Sequence, residues 1–474
     1  MKRSLRFVLP ALGLMTAGCN LAPKYTRPQE PVPAAYAGQG PAAPGQAAFG
    51  DLPWFEVFHD PVLLDLVREA LKENVDLKVA ANRVLQTEVQ VGVARSYLAP
   101  TVQTTLQGGR GVSTEDRALA GPAANPSTSY VVNMGVSYEI DFWGKLRNQT
   151  EVARANLLAS QENQNLVRQS LVASVVQGYY QLRELDMELD LAWSTLRSRE
   201  DSLRLENELY KYGVANLSDV RQAESLVQSV AHTIPLVEQS VAQQENALNV
   251  LLGRYQAEIP RGLSLDDQKL SVTVPPGLPS DLLENRPDIR MAEQNLVAGN
   301  AQIGVARASL FPSISLTAGG GYISDDLSRL TGPGKSIWNV GGNVVAPIFE
   351  GGRLREQVKL TELQKEELVL LYSKTVQQAF SETASALVSV GKTREARLQQ
   401  ETLVKTLEDE LQLSNDRYRG GVAAYLEVQD AERQCFDGRR TLAQAKRDEL
   451  LAVLSLYKAL GGGWKTDAAA PAAN

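Results

Sequence analysis

Leu209–Glu224 reads LYKYGVANLSDVRQAE, and Asp416–Glu432 repeats it as DRYRGGVAAYLEVQDAE. Tyr210 aligns with Tyr418, Gly213 with Gly421, Val214 with Val422, Ala215 with Ala423 and Asp219 with Glu427. Val220, Ala223 and Glu224 then align with Val428, Ala431 and Glu432. The spacing is constant, since 418 − 210 = 208 and 432 − 224 = 208. Each copy lies between two long helical patterns and reads as the tip of a helical hairpin. A fixed offset of this size means that the chain is built twice on one plan.

The repeat extends outward from the tips. Val91–Val102, VGVARSYLAPTV, matches Ile303–Ile314, IGVARASLFPSI. Phe142–Arg147, FWGKLR, matches Glu350–Arg355, EGGRLR, and Gly253 matches Gly461. Between Lys145 and Tyr210 there is no proline and the only glycine is Gly178. Leu182, Leu185, Leu189, Ala192 and Leu196 follow the 3-4 spacing of a coiled-coil seam. At 1.5 Å per residue such a helix is roughly 100 Å long. A second helix returns from about Asp219 to Leu252, and the second copy repeats the pair from about Leu354 to Tyr418 and Glu427 to Leu460.

Between these helices the period changes to two. From Tyr130 to Phe142 every even position is apolar, and the odd positions are polar or small except Val131. Leu98–Gln107, Pro312–Tyr322 and Ile337–Phe349 alternate less cleanly. Each has about the 9–11 residues that a tilted strand needs to cross a bilayer. Tyr97, Tyr130, Phe142, Trp143, Phe311, Tyr322, Trp338 and Phe349 cluster at the strand ends, as in the aromatic girdles of membrane barrels. A soluble antiparallel sheet shares the alternation but not the aromatic ends. Four strands cannot close a barrel, and an open edge is not tolerated in lipid. Pooling two chains gives eight strands with a filled interior, and pooling three gives twelve with room for a channel.

Composition narrows the function further. The chain has 474 residues and a net charge of −7, which argues against nucleic acid as a partner. Its only cysteines are Cys19 and Cys435, so no disulfide framework is implied. His59 and His232 are the only imidazoles. No catalytic constellation, metal set or cofactor motif is visible, and acidic runs such as Glu408–Glu410 read as solvated helix faces. After the N-terminus no apolar run is long enough for a membrane helix.

The N-terminus predicts export. Lys2, Arg3 and Arg6 precede the apolar stretch Phe7–Ala17, which ends at Ala17-Gly18-Cys19. Residues 1–18 resemble a lipoprotein signal with Cys19 as the lipidated residue, and Asn20 after it favours the outer membrane. An ordinary signal peptide with an incidental cysteine is the alternative. The expected organisation is an extended tether at 19–53 and a first repeat at 54–254, with its strand hairpin at about 98–142 and its helical hairpin at about 145–253. A linker follows at 255–285. The second repeat is 286–462, with strands at about 312–349 and helices at about 354–460, and a disordered tail occupies 463–474. Asp60 is the expected N-cap of the first helix, with Pro61 in its first turn, and a second helix is expected from about Asp76 to Tyr97.

Trp54–Asp76, Arg286-Pro-Asp-Ile289 with Ala292-Glu293, Ile303–Pro312 and Tyr418–Glu432 resemble the bacterial outer membrane efflux proteins, the TolC-like outer membrane factors. The lipoprotein branch serving drug-type pumps is the nearest in pattern. The resemblance covers nearly the whole chain. It implies a homotrimer in which each chain supplies four β-strands to a twelve-stranded membrane β-barrel, continued by a long α-helical barrel in the periplasm. It implies passive conduction of drugs or other small amphiphilic compounds, with a periplasmic adaptor and an inner-membrane pump as partners, outer membrane lipid as surroundings and no enzymatic step. The same resemblance implies a periplasmic gate at Tyr418, Arg419, Leu426, Glu427 and Asp430. Tyr210 and Asp219 are the lesser candidates at the first tip, and the turns at Gly213 and Gly421 would meet the adaptor. Ala423 replaces an arginine of other members, so one familiar bond is absent. A conduit for type I protein secretion, a metal-ion efflux channel and a non-conducting coiled-coil lipoprotein are the competing readings.

Overall fold

The computed structural model describes residues 19–33, 49–112, 127–268 and 282–465. The expected signal peptide, residues 34–48 of the tether, 269–281 of the linker and 466–474 of the tail lie outside the described residues. The chain divides into two compact units. One comprises Met1–Gln29, Arg83–Ser160 and Met291–Ser373, the other Glu30–Asn82, Gln161–Arg290 and Lys374–Asn474.

In chain order the main elements are α1 (Pro61–Glu73), α2 (Val75–Ser96), β1 (Thr101–Gly111), β2 (Ser127–Ile140), α3 (Lys145–Lys211) and α4 (Leu217–Leu251). They are followed by α5 (Pro287–Ala308), β3 (Ser313–Ser324), β4 (Ser336–Val345), α6 (Arg353–Arg419) and α7 (Tyr425–Ala459). Corresponding helices have equal lengths: 22 residues in α2 and α5, 67 in α3 and α6, and 35 in α4 and α7. Two helices of one length at each step are what a duplicated plan requires. Among the described residues no helix is long and apolar enough to cross a membrane.

The first unit carries the sheet. Its order is β1-β2-β3-β4, antiparallel throughout, with β1 and β4 at the edges. The register puts Val102 opposite Val136, Val136 opposite Ala318 and Ala318 opposite Val340. Residues opposite one another share a face. One face therefore gathers Leu106, Val132, Met134, Tyr138, Leu316 and Val344. The other gathers Gln103, Thr105, Asn133, Ser137, Thr317, Asn339 and Asn343, together with the apolar Val131, Ile323, Ile337 and Val345. Alternation within single strands becomes two continuous faces only because the register is even across all four strands. The last strand is shorter than expected. β4 ends at Val345, and Pro347 follows, which has no N–H for a ladder bond and restricts Ala346 before it. Ile348 and Phe349 thus lie beyond the strand. Below β2, Trp143 stacks on Phe311 with ring centres 4.6 Å apart and donates through Nε1 to the Pro312 carbonyl at 2.8 Å.

The second unit holds the main core, with Trp54, Phe58, Leu63, Val175, Tyr180, Leu248, Leu454 and Tyr457 among its buried residues. Asp60 caps α1 as expected, accepting from Val62 N at 3.0 Å, with Pro61 following it. Its other oxygen accepts from Tyr179 Oη at 2.8 Å, Leu263 N at 2.9 Å and Gln268 Nε2 at 2.9 Å. With Leu63 N at 3.4 Å, five donors reach this fully buried carboxyl group and satisfy its oxygens there. A Cβ at Gly262 would lie 2.1 Å from Asp60 Oδ1, so only glycine lets this loop close on the cap.

Candidate gate at the hairpin tips

Both tips lie in the second unit and share one backbone turn. In the first, Gly213 at φ 73° lets Val214 N reach the Leu209 carbonyl at 2.9 Å. In the second, Gly421 at φ 72° lets Val422 N reach the Arg417 carbonyl at 3.0 Å. The left-handed residue closing a helix is the reason both copies keep glycine.

The side chains then diverge. Asn216 caps α4 by accepting from Asp219 N at 3.0 Å, while Asp219 Oδ2 accepts from Asn216 N at 3.1 Å. This reciprocal box satisfies two orphan donors of the helix start. In the second tip Ala424 occupies the cap position and has no side chain to offer. Glu427, the counterpart of Asp219, instead accepts from Arg417 Nε at 3.0 Å across the turn. Tyr418 Oη donates to Glu206 Oε1 at 2.7 Å, tying α6 to α3. Its ring lies 5.3 Å from that of Tyr425, which packs with Val428 and Ala223.

The expected gate residues therefore separate. Tyr418 and Glu427 make contacts that join elements. Asp430 pairs with Arg433 at 2.7 Å and Gln434 at 2.7 Å on its own helix, as a solvated residue does. Those partners hold its carboxyl below the usual carboxylate range. Arg419 and Leu426 are exposed, Leu426 at 63%. At the first tip Tyr210 is exposed, and Asp219 belongs to the helix cap. Cys19, in the first unit, is exposed and free of any disulfide.

Glu206 was missed by sequence reasoning. It is only 1% exposed, and burial, partly offset by the Tyr418 hydroxyl, raises its carboxyl above the usual range. Burial and the same hydrogen bond also push the Tyr418 hydroxyl up, so it remains a donor at neutral pH. A signal was available. The seam Leu182–Leu185–Leu189–Ala192–Leu196, continued at the same 3-4 spacing, passes through Arg199, Leu203 and Glu206. Charged residues on an apolar seam mark polar contacts between helices. Chemically, the second tip is held by a few polar contacts and a small apolar cluster, which can part without repacking a core. Among the described residues no group of three His, Cys, Asp or Glu could hold a metal ion.

The outer membrane efflux protein family model matches residues 66–254 and 278–462. The toluene efflux pump outer membrane protein TtgC of Pseudomonas putida is 37% identical over 463 residues, covering 96% of this chain and 95% of that protein. The cation efflux system protein CusC of Escherichia coli is 34% identical over 456 residues, covering 96% and 98%. The open state of the Neisseria gonorrhoeae MtrE outer membrane channel has a similar structure. Its TM-score is 0.85 at 31% identity, covering 94% of this chain and 99% of that one. The chain belongs to the outer membrane efflux protein family.

Proposed function

We propose that the protein is the outer membrane channel of a tripartite efflux system. It passes small amphiphilic compounds passively from a periplasmic adaptor and an inner-membrane pump to the outside. The observation that carries this reading is the two-faced sheet with two edge strands, joined to long helical hairpins. An apolar face suits lipid and an Asn/Thr/Gln face suits a water-filled lumen. Edge strands in lipid must pair, so three copies close a twelve-stranded barrel, with β1 of one chain beside β4 of the next. Each chain contributes two repeats, 54–254 and 286–462, joined by the linker at 255–285. Cys19 carries a lipid anchor in the outer membrane. The Gly213 and Gly421 turns, flanked by the exposed Tyr212, Val214 and Val422, meet the adaptor. The names of the relatives specify toluene and cations, and small amphiphiles are preferred here because no metal-binding sequence pattern accompanies the resemblance.

The periplasmic gate is the second tip, with Tyr418, Arg419, Leu426, Glu427 and Asp430 facing the axis of the trimer. Three symmetry-related carboxylates there would attract cations, and a leucine ring would exclude water. Planar-bilayer recording of the purified protein tests this. The native protein should give a small cation-selective conductance, and Glu427→Ala with Asp430→Ala should raise it and weaken the selectivity. Unchanged conductance and selectivity in the double variant would remove these carboxylates from the gate.

A further inference from the structure

Beyond the tip, the sequence duplication breaks at one buried contact. Arg199 on α3 is 4% exposed and Glu432 on α7 is 11% exposed, and their Nε and Oε2 atoms lie 3.8 Å apart. Neither atom has a hydrogen-bond partner. The rest of the guanidinium is held in place. Nη1 donates to the Leu226 carbonyl on α4 at 3.0 Å, and the group lies 5.8 Å from the centre of the Phe436 ring. Beside the pair opens a cleft of about 170 Å³, lined by Ser194, Ser198, Leu411 and Cys435 as well as the pair itself. The two orphaned atoms are themselves buried and do not open onto this cleft.

The duplicated positions show that this pair is not part of the common plan. The counterpart of Arg199 is Leu407, since 407 − 199 = 208, and that of Glu432 is Glu224, since 432 − 224 = 208. Leu407 is buried and apolar, and the half-buried Glu224 pairs with Arg221 on its own helix at 2.6 Å. One hairpin pair thus has a leucine where the other has a buried charge. Burial lowers the Arg199 guanidinium and raises the Glu432 carboxyl. A tight ion pair would move both the other way. The attraction is incomplete, and such a pair holds its partners less firmly than apolar packing of the same volume.

We propose that Arg199 and Glu432 form a loose, buried latch that holds α7 of the second hairpin against α3 and α4 of the first, and that this latch parts when the channel opens. The inference rests on the second hairpin being the moving one. The latch is a separate contact from Tyr418–Glu206. The two are joined through Tyr425, whose hydroxyl feels the charges of both Glu432 and Glu206. Arg199 and Glu432 are positioning residues. They touch no substrate and set the fraction of channels that are open.

Single-channel recording of the full-length protein, with melting temperature measured in parallel, tests the latch. Glu432→Gln strands the arginine in the closed state and should raise open probability about tenfold, equivalent to about 1.4 kcal/mol. Arg199→Leu with Glu432→Leu replaces the pair by apolar packing, as leucine already does at the counterpart of Arg199, and should lower open probability below that of the native protein. It also covers the case in which Glu432→Gln does not fold. A purely structural pair would shift melting temperature and leave open probability alone, and that result overturns the proposal. Tyr418→Phe is the control. If it opens the channel while both latch variants leave gating unchanged, only the latch fails. If Tyr418→Phe is also silent, the gate at the second tip fails with it.

Discussion

The two hairpin tips share a backbone and differ in what holds them. The first is closed by its own helix cap, Asn216 with Asp219, so its stability is local. The second has Ala424 at the cap and relies on Arg417–Glu427 across the turn and on Tyr418–Glu206 between helices. A contact made within one turn survives any movement of the hairpin as a body. A contact made to another helix is lost by that movement. The difference teaches that two tips with the same turn glycines, 213 and 421, can be held by local contacts in one case and by contacts between helices in the other.

Removing the bond between helices should break the comparison most strongly. Tyr418→Phe deletes a hydrogen bond to a buried carboxylate, which contributes about 1.5–3 kcal/mol. It should raise conductance at least several-fold in planar bilayers, whereas Tyr210→Phe at the exposed first-tip counterpart should leave it unchanged. Equal effects from the two would erase the distinction between the tips.

Exchanging the caps should sharpen it at a smaller scale. Asn216→Ala removes a capping box and should cost about 1 kcal/mol in denaturant unfolding without altering conductance. Ala424→Asn gives α7 the missing cap and should stabilise by a similar amount, about 1 kcal/mol. If the new cap draws Glu427 back to its own helix, Arg417 is released and conductance rises slightly even as stability increases. A change of conductance in Asn216→Ala would contradict the assignment of local and remote contacts.

The smallest effect concerns pH. The Glu206 carboxyl is raised above its ordinary value of 4.5 in the folded protein, so the folded state holds this proton more readily than the unfolded chain. Its contribution is fully present at pH below 4.5 and is lost as pH climbs through the raised value. Glu206→Gln should flatten the fall in melting temperature across that window. A Gln variant with the native pH profile would show that Glu206 is not the titrating group.

The duplication, the helix lengths, the strand alternation and the Asp60 cap were legible in the sequence, because each is a local or periodic signal. The strand limit at Val345 was legible in principle through Pro347. The contacts at the hairpin tips were legible only in part. Glu427 was named through the family resemblance and aligns with Asp219 in the duplication, but alignment cannot tell a capping carboxylate from one that crosses a turn. That depends on residue 424, where alanine replaces asparagine. Asp430 stands in the same segment and bonds only to its own helix.

What the sequence by itself determined is therefore the plan: two repeats, four amphipathic strands, two long hairpins and membership of the efflux family. Such properties follow from periodicity and turn chemistry, which act over a few residues at a time. What only the tertiary structure decided is the pairing of side chains far apart in sequence. Glu206 with Tyr418 and Arg199 with Glu432 meet because α3 packs against α6 and α7 in one register. A helical period states which face a residue occupies. It does not state which residue of another helix stands opposite, since that is set by how the whole hairpins pack.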